Sequence, residues 1–324
     1  MRRPILPTLA CLAALLLLLP GGARAQSWPA RPVHLLINTT PGGAVDTVAR
    51  LMAQRLHAVL GQPVVAENRA GGNGVVAGIA VQTAAPDGYT LLFGASIHAL
   101  TGAIMRRPPY DPLADFTPVA RVAEGPLLVV TAPRLPYADL SSLVDAVRGN
   151  PAGFAFATSS LGAAGHLAVL ALRQITGVDV PLVSYRGSAP ALTDLAAGTV
   201  QVMVDPILSS LPLVQGGQLR ALAITAAARS PAAPAIPTVA EAGFPALRYA
   251  SWYAVWGPRG LPEAVTMRLH AALGGIVAED AVARRLAELG FTSVAESQAD
   301  FVAVQTAEAE RGAALLRQSG FEPQ

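Results

Sequence analysis

The feature that most restricts how this chain folds is a short apolar run that ends in a glycine turn and continues at helical spacing. Residues 33–37 (VHLLI) have β-branched ends and little polarity, which suits a parallel strand covered on both faces. Asn38, Thr39 and Thr40 lead into the turn Pro41-Gly42-Gly43, after which Val45, Val48, Ala49, Met52 and Leu56 recur with a helical period. A helix beginning there aims unpaired backbone N–H groups at the mouth of the turn, a geometry that receives anions. Two readings stay open: a seat for a carboxylate, or an ordinary strand-to-helix connection.

The unit recurs along the chain. Residues 62–67 read as a second strand, followed by the glycine-rich turn 68–74 and a small-residue helix over 75–84. Within it, Gly72-Asn73-Gly74-Val75-Val76-Ala77 fits a loose dinucleotide pattern, but the next strand, 90–93, ends in Gly94-Ala95-Ser96 with no acid for a ribose hydroxyl. No cofactor is therefore expected. Ser96 and His98 hint at a nucleophile and base. They lie two apart, without a nucleophile-elbow motif or an orienting acid, and are read as pocket wall. Asp111 and Asp115 lack further ligands at calcium-loop spacing, so no metal is expected.

Residues 119–122 and 127–131 read as two strands split by Glu124-Gly125-Pro126, where the chain is expected to cross into a second domain. Asp139 or Ser141 is expected to cap a helix that runs to about Arg148. After a strand over 154–157 comes a polar turn holding Ser159, Ser160, Gly162, Ala163, Ala164 and His166. Its hydroxyls and helix-start N–H groups are the second candidate ligand seat. His166 is either catalytic or hydrogen-bonded at the helix start; with no acid or metal partner in the sequence, the second is expected. Tyr185, a candidate ligand contact, closes the strand 180–185, and Ser188 is the expected cap of the next helix. Asp205, at the end of the strand 200–205, either meets an ammonium on the ligand or caps the following helix. Residues 219–225 form a buried strand, 226–238 a linker, and 239–243 a short helix stopped by glycine. Trp252 and Trp256 lie on an aromatic strand and are expected in the core.

Composition narrows the function. Arg2 and Arg3, the apolar centre 12–19 and Ala23-Arg24-Ala25 read as a cleaved leader over residues 1–25, with the mature chain starting at Gln26. The lone cysteine, Cys11, lies inside that leader, so the mature chain is expected to use neither disulfides nor thiol chemistry. All 23 basic residues are arginine, which excludes Schiff-base catalysis by lysine. Without Arg2, Arg3 and Arg24, 20 arginines stand against 21 acidic residues, a net charge of −1, and no basic stripe suggests nucleic acid. No second apolar stretch is long enough to span a bilayer.

Taken together, several segments resemble one family, the Bug-type extracytoplasmic solute-binding receptors of tripartite tricarboxylate transporters. They are Trp28-Pro29-Ala30-Arg31-Pro32, Pro41-Gly42-Gly43 with Asp46 and Ala49-Arg50, and Glu67-Asn68-Arg69-Ala70-Gly71-Gly72-Asn73-Gly74. Further along come Pro86-Asp87-Gly88-Tyr89, Tyr110-Asp111-Pro112, His166-Leu167-Ala168, Tyr185-Arg186-Gly187 with Asp194-Leu195, and Glu241-Ala242-Gly243. The resemblance spans nearly the whole mature chain in order. It implies an α/β fold of the periplasmic binding protein type II kind, two α/β lobes with a ligand cleft between them. Domain 1 is expected over 26–125 and 226–324 and domain 2 over 126–225. It also implies a small carboxylate ligand (a di- or tricarboxylate, an acidic amino acid or an aromatic acid) held by backbone N–H groups, hydroxyls and water from the two facing loops. Asn38-Thr39-Thr40 stands where the family usually has an apolar or aromatic residue before the proline, which makes this pocket wall more polar.

The expectation is a periplasmic, monomeric, non-enzymatic receptor that presents a carboxylate to membrane transporter subunits. The rivals are a ligand sensor for a signalling partner, and an exported hydrolase or isomerase using Ser96, His98 or His166.

Overall fold

The structure, a computed structural model, describes residues 28–324; the expected leader and its cleavage site lie outside the described residues. The first lobe opens with three parallel strands, β1 (Val33–Ile37), β2 (Val64–Asn68) and β3 (Thr90–Ala95), with β1 in the middle. Between them run α1 (Ala44–Leu60) and α2 (Val75–Gln82), and α3 (Thr101–Ile104) follows β3. Side chains alternate across β1, so Leu35 and Ile37 pack with Met52 and Leu56 of α1. Leu36 faces the other way, with Val75 and Val81 of α2. Burial on both faces explains why the run reads as continuously apolar.

The long strand β4 (Phe116–Thr131) then joins the two lobes. The expected break at Glu124-Gly125-Pro126 is corrected here: the strand runs straight through. Its first part pairs with β9 (Ala250–Pro258) as far as Pro126, opposite Ala250. From Leu127 onward it pairs with β7 (Val202–Pro206), and from Leu128 with β8 (Arg220–Ile224). Proline lacks a backbone donor, and it is accommodated at the point where β4 exchanges partners. Gly125 is needed because a Cβ there would lie 2.1 Å from the Phe291 ring.

The second lobe contains α4 (Leu140–Gly149), β5 (Phe156–Thr158), α5 (Ala164–Thr176), β6 (Leu182–Ser184), α6 (Ser188–Ala197) and α7 (Ile207–Gln215). Asp139 caps α4 through a reciprocal pair with Ser142, as one of the two expected caps. Strands β6, β5 and β7 are mutually parallel, and β4 joins them antiparallel to β7. One face of this sheet packs on α5; the other, through Leu128, Val130 and Met203, packs on α6 and α7. After β8 the chain returns to the first lobe. The expected helix over 239–243 is only a turn, although Thr238 and Glu241 exchange the hydrogen bonds of a capping box. The chain closes with α8 (Glu263–Ala278), α9 (Asp280–Glu288), β10 (Thr292–Ser293) beside β4, and α10 (Gln298–Gln318). Trp252 and Trp256 are buried against Phe301 of α10. No helix among the described residues is long and apolar enough to cross a membrane.

Helix α5 lies unusually close to the second sheet. A Cβ on Gly165 would come within 2.1 Å of the Val204 carbonyl oxygen, and backbone cannot move aside as a side chain can. Gly165→Ala is therefore expected to destabilise the protein by about 3 kcal/mol, read as a lowered denaturation midpoint. An unchanged midpoint would show that α5 is free to lift from β7.

Candidate functional site

The loops that leave the carboxyl ends of the parallel strands in both lobes meet one another. From the first lobe come residues 38–43 after β1, 69–74 after β2 and 96–100 after β3. From the second come 159–163 after β5 and 185–187 after β6. Three contacts join the two sets. Ser160 Oγ donates to Asn73 Oδ1 at 2.8 Å. A Cβ on Gly187 would lie 3.2 Å from Thr40 Oγ1, and one on Gly162 would lie 3.6 Å from Ile97. The crevice at the carboxyl ends of strands is where open α/β sheets place their ligands.

The Pro41-Gly42-Gly43 turn is held from behind. Gly42 has φ +85°, a conformation that glycine adopts without strain, and its N–H donates to Asp46 Oδ2 at 3.0 Å. Asp46 Oδ1 accepts from Arg50 Nε and from Asn68 Nδ2, each at 2.9 Å. Asn68 Nδ2 also donates to the Thr39 carbonyl, and Arg50 Nη2 donates to Asn68 Oδ1. Burial opposes the Asp46 charge, but these donors win and hold its carboxyl below the ordinary value of 3.8. Asp46, Arg50 and Asn68 thus shape the loop. Gly42 and Gly43 have open space where side chains would be. Asp46→Ala is expected to cost about 1–3 kcal/mol, because it strips Gly42 and Arg50 of their acceptor. Wild type should lose this increment as pH falls through the lowered Asp46 pKa, and the variant should not; urea titrations at neutral and acid pH measure both.

The loop after β5 is organised by a histidine. His166 Nδ1 accepts the Gly162 N–H at 2.9 Å, which is the helix-start hydrogen bond expected from the sequence. Its ring is fully buried beside Phe321, and burial pushes its pKa down to about 4, with Arg173 a smaller cause. An imidazole that accepts at Nδ1 while neutral carries its proton on Nε2. Gly162 adopts φ +78°, Ala163 sits at the N-cap of α5, and Ala164 opens the helix. No side chain caps α1, α5 or α6. Ser159 is half-buried and its carbonyl accepts from Gly187 N–H, which ties the loops after β5 and β6 together.

Other candidate residues land differently. Ser96 is buried. His98 is packed among Tyr110, Phe116 and Trp256, with ring centroids 4.6–5.7 Å away, and burial pushes its pKa down to about 3. Its ring belongs to the aromatic core of the first lobe, with no acid beside it among the described residues. The Tyr185 hydroxyl donates to Asp194 Oδ2 at 2.7 Å, and its pKa is pushed up to about 12 by burial and by that carboxylate. Its hydroxyl therefore braces α6.

One cap assignment is corrected, and one of the two readings of Asp205 falls. Gly187, with φ +118°, is the N-cap of α6, and Ser188 is its first residue. Asp205 does not cap α7, whose N-cap is Pro206 with no side-chain bond. Instead its Oδ1 accepts from Ser188 Oγ at 2.7 Å, a partner brought near only by the fold. Asp205 is fully buried, its Oδ2 has no partner, and burial raises its pKa to about 7 against the lowering effect of Ser188.

Sequence reasoning did not single out Asn73 or Gly187 as site residues, and it named Asn38 only as polar pocket wall. Asn38 is buried between the turn at Gly74 and Gly94 of β3, where added Cβ atoms would meet its side chain at 2.9 and 2.7 Å. Asn73 has φ 55°, a left-handed conformation that asparagine tolerates better than most residues, so its place in a glycine run was the available signal. Thr39 Oγ1, Asn38 Oδ1 and Asp205 Oδ2 are all buried without partners around these loops. Buried polar atoms are almost always satisfied, so such orphans mark a place that receives something polar.

Comparison with known proteins agrees with this geometry. Residues 48–321 match the tripartite tricarboxylate transporter family receptor. BugT of Bordetella pertussis is 35% identical over 298 residues, covering 91% of this chain and 91% of that protein. A solved R. palustris protein with adipate superposes with a TM-score of 0.87 at 36% identity, covering 92% of this chain and all of that one. MatC from Rhodopseudomonas palustris with bound malate gives a TM-score of 0.83 at 32% identity, over 89% of this chain and all of that one. The chain therefore belongs to the tripartite tricarboxylate transporter receptor family, the Bug-type solute-binding proteins.

Proposed function

We propose that this protein is a periplasmic receptor that captures a small organic carboxylate between its lobes and delivers it to membrane transporter subunits. The observation that carries this reading is the meeting of the two loop sets across the lobes, with uncapped helix starts and the orphaned atoms Thr39 Oγ1 and Asp205 Oδ2 around them. Backbone N–H groups at helix starts stabilise a carboxylate without any cationic side chain. Adipate and malate, bound by the two R. palustris relatives, are the first ligands to try. In this reading residues 1–25 are removed on export and the cleaved chain works as a monomer. Residues 26–125 and 226–324 form one domain and 126–225 the other; the exchange of β4 partners after Pro126 supports that division. Ser96, His98 and His166 serve structure and no catalysis, since neither imidazole has an orienting acid among the described residues.

Ligand binding to the folded state raises the melting temperature by mass action. A thermal-shift and calorimetric screen of dicarboxylates, acidic amino acids and aromatic acids is expected to find a ligand that raises the melting temperature by several degrees. Thr39→Val, which keeps the shape and removes the hydroxyl, should weaken that ligand about tenfold. A screen in which no carboxylate binds would defeat the reading.

A further inference from the structure

A cavity of about 420 Å³ lies away from the facing loops, at the hinge. Its walls include parts of both connections that carry the chain between the sheets, Gly125-Pro126 of β4 and the two ends of the second connection, 225–227 and 248–250, together with α10. The volume is within the range of small-molecule sites. Tyr249 is partly buried on this wall, and Trp252 lines it with its ring packed on Trp256 and Phe301. Trp252 is 3% exposed, and its indole Nε1 is buried with no acceptor. By contrast, Trp256 Nε1 donates to Gln305 Oε1 at 3.0 Å.

The charges around the cavity differ in how far they are committed. Arg121 is clamped by Glu296, through two bonds of 2.8 and 2.6 Å, and by Glu124 at 2.7 Å. Arg311 pairs with Glu308 and stands 5.8 Å from the Tyr249 ring. Arg248 is exposed at the cavity and forms no ion pair among the described residues. One free guanidinium beside the Tyr249 ring fits a ligand with a single negative charge on a flat apolar body.

We propose that the hinge cavity is a second binding site, separate from the cleft, for a small aromatic monocarboxylate. Its carboxylate pairs with Arg248 and its ring lies along Tyr249, next to the buried Trp252. An occupant rests on both inter-lobe connections, the segments that must bend when the lobes separate. It therefore shifts the balance between open and closed forms by whatever difference in affinity it has for the two.

The test uses benzoate and the tryptophan indole signals of the ¹⁵N-labelled purified protein. The chain has three tryptophans, and Trp252→Phe assigns the relevant signal by its disappearance. Benzoate is expected to move the Trp252 signal along a saturating curve and leave that of Trp256 in place. Arg248→Gln should weaken this binding about tenfold or more, while the affinity for whichever carboxylate occupies the cleft stays as in wild type. A Trp252 signal that benzoate does not move, or that moves with the same midpoint in Arg248→Gln, would overturn the proposal. Either result leaves the cleft reading intact, because the cleft is tested by its own ligand and by Thr39→Val.

Discussion

Asp205→Asn is expected to gain stability over the wild type as pH rises from about 4 to about 8, by up to about 4 kcal/mol in total. The cause is the buried carboxyl at the end of β7. Its folded pKa of about 7 lies above the ordinary 3.8, so between these values the folded protein holds a proton that the unfolded chain releases. Stability therefore falls as pH rises through that window and levels off above it. Below about pH 4 the group is protonated in both states and the effect disappears. Asparagine keeps an oxygen that can accept from Ser188 Oγ and removes the titration. Melting curves of both proteins across this range should diverge toward alkaline pH; parallel curves would mean that Asp205 is not held in a dry site. On the receptor reading the same proton matters for the ligand. A neutral Asp205 can donate to a carboxylate oxygen, whereas a charged one repels it. Affinity for a dicarboxylate should fall between about pH 6 and 8 in wild type and stay flat in Asp205→Asn.

The second large effect has the opposite sign. His98→Phe is expected to remove about 3 kcal/mol of acid sensitivity between about pH 7 and pH 4. His98 and His166 have folded pKa values of about 3 and 4, below the ordinary 6.5, because both rings are buried neutral. On acidification the unfolded chain takes up protons that the folded protein refuses, so stability is lost as pH falls below 6.5. The two histidines together lose about 6 kcal/mol by about pH 4, and Asp205 regains about 4 over the same range. These three groups leave wild type only mildly acid-sensitive, by about 2 kcal/mol. Phenylalanine suits the ring contacts with Phe116 and Trp256 and also removes the unpartnered Nε2. Denaturant midpoints for the variant should therefore be nearly independent of pH across this window. A variant that tracks wild type would place the titrating group elsewhere.

Both effects depend on burial, and burial is where sequence reading reached its limit. The helical period of α1, the apolar β1 and the Pro41-Gly42-Gly43 turn were legible because they rest on local spacing. The helix-start bond of His166 was legible for the same reason, since its partner, Gly162, is four residues away. Asp205 was harder: its partner Ser188 is 17 residues away, on another element. The likeness of Glu124-Gly125-Pro126 to a strand break misled because a proline's cost depends on whether its missing donor faces a partner. That is a property of the sheet around β4, not of the tripeptide.

Local spacing and composition were enough to show the alternation of strands and helices, the glycine turns at strand ends, the absence of lysine chemistry and, through motifs spread along the chain, the family. Periodicity and composition carry that information because each element needs only its own residues to display it. Tertiary structure alone decided that β4 is one strand shared by two sheets, that His98 belongs to an aromatic core and that Asn73 reaches Ser160 across the lobes. It also decided that a single carboxyl, Asp205, is dry. Those outcomes depend on which distant groups exclude water from which atoms, and solvation of that kind is set only when the lobes are packed.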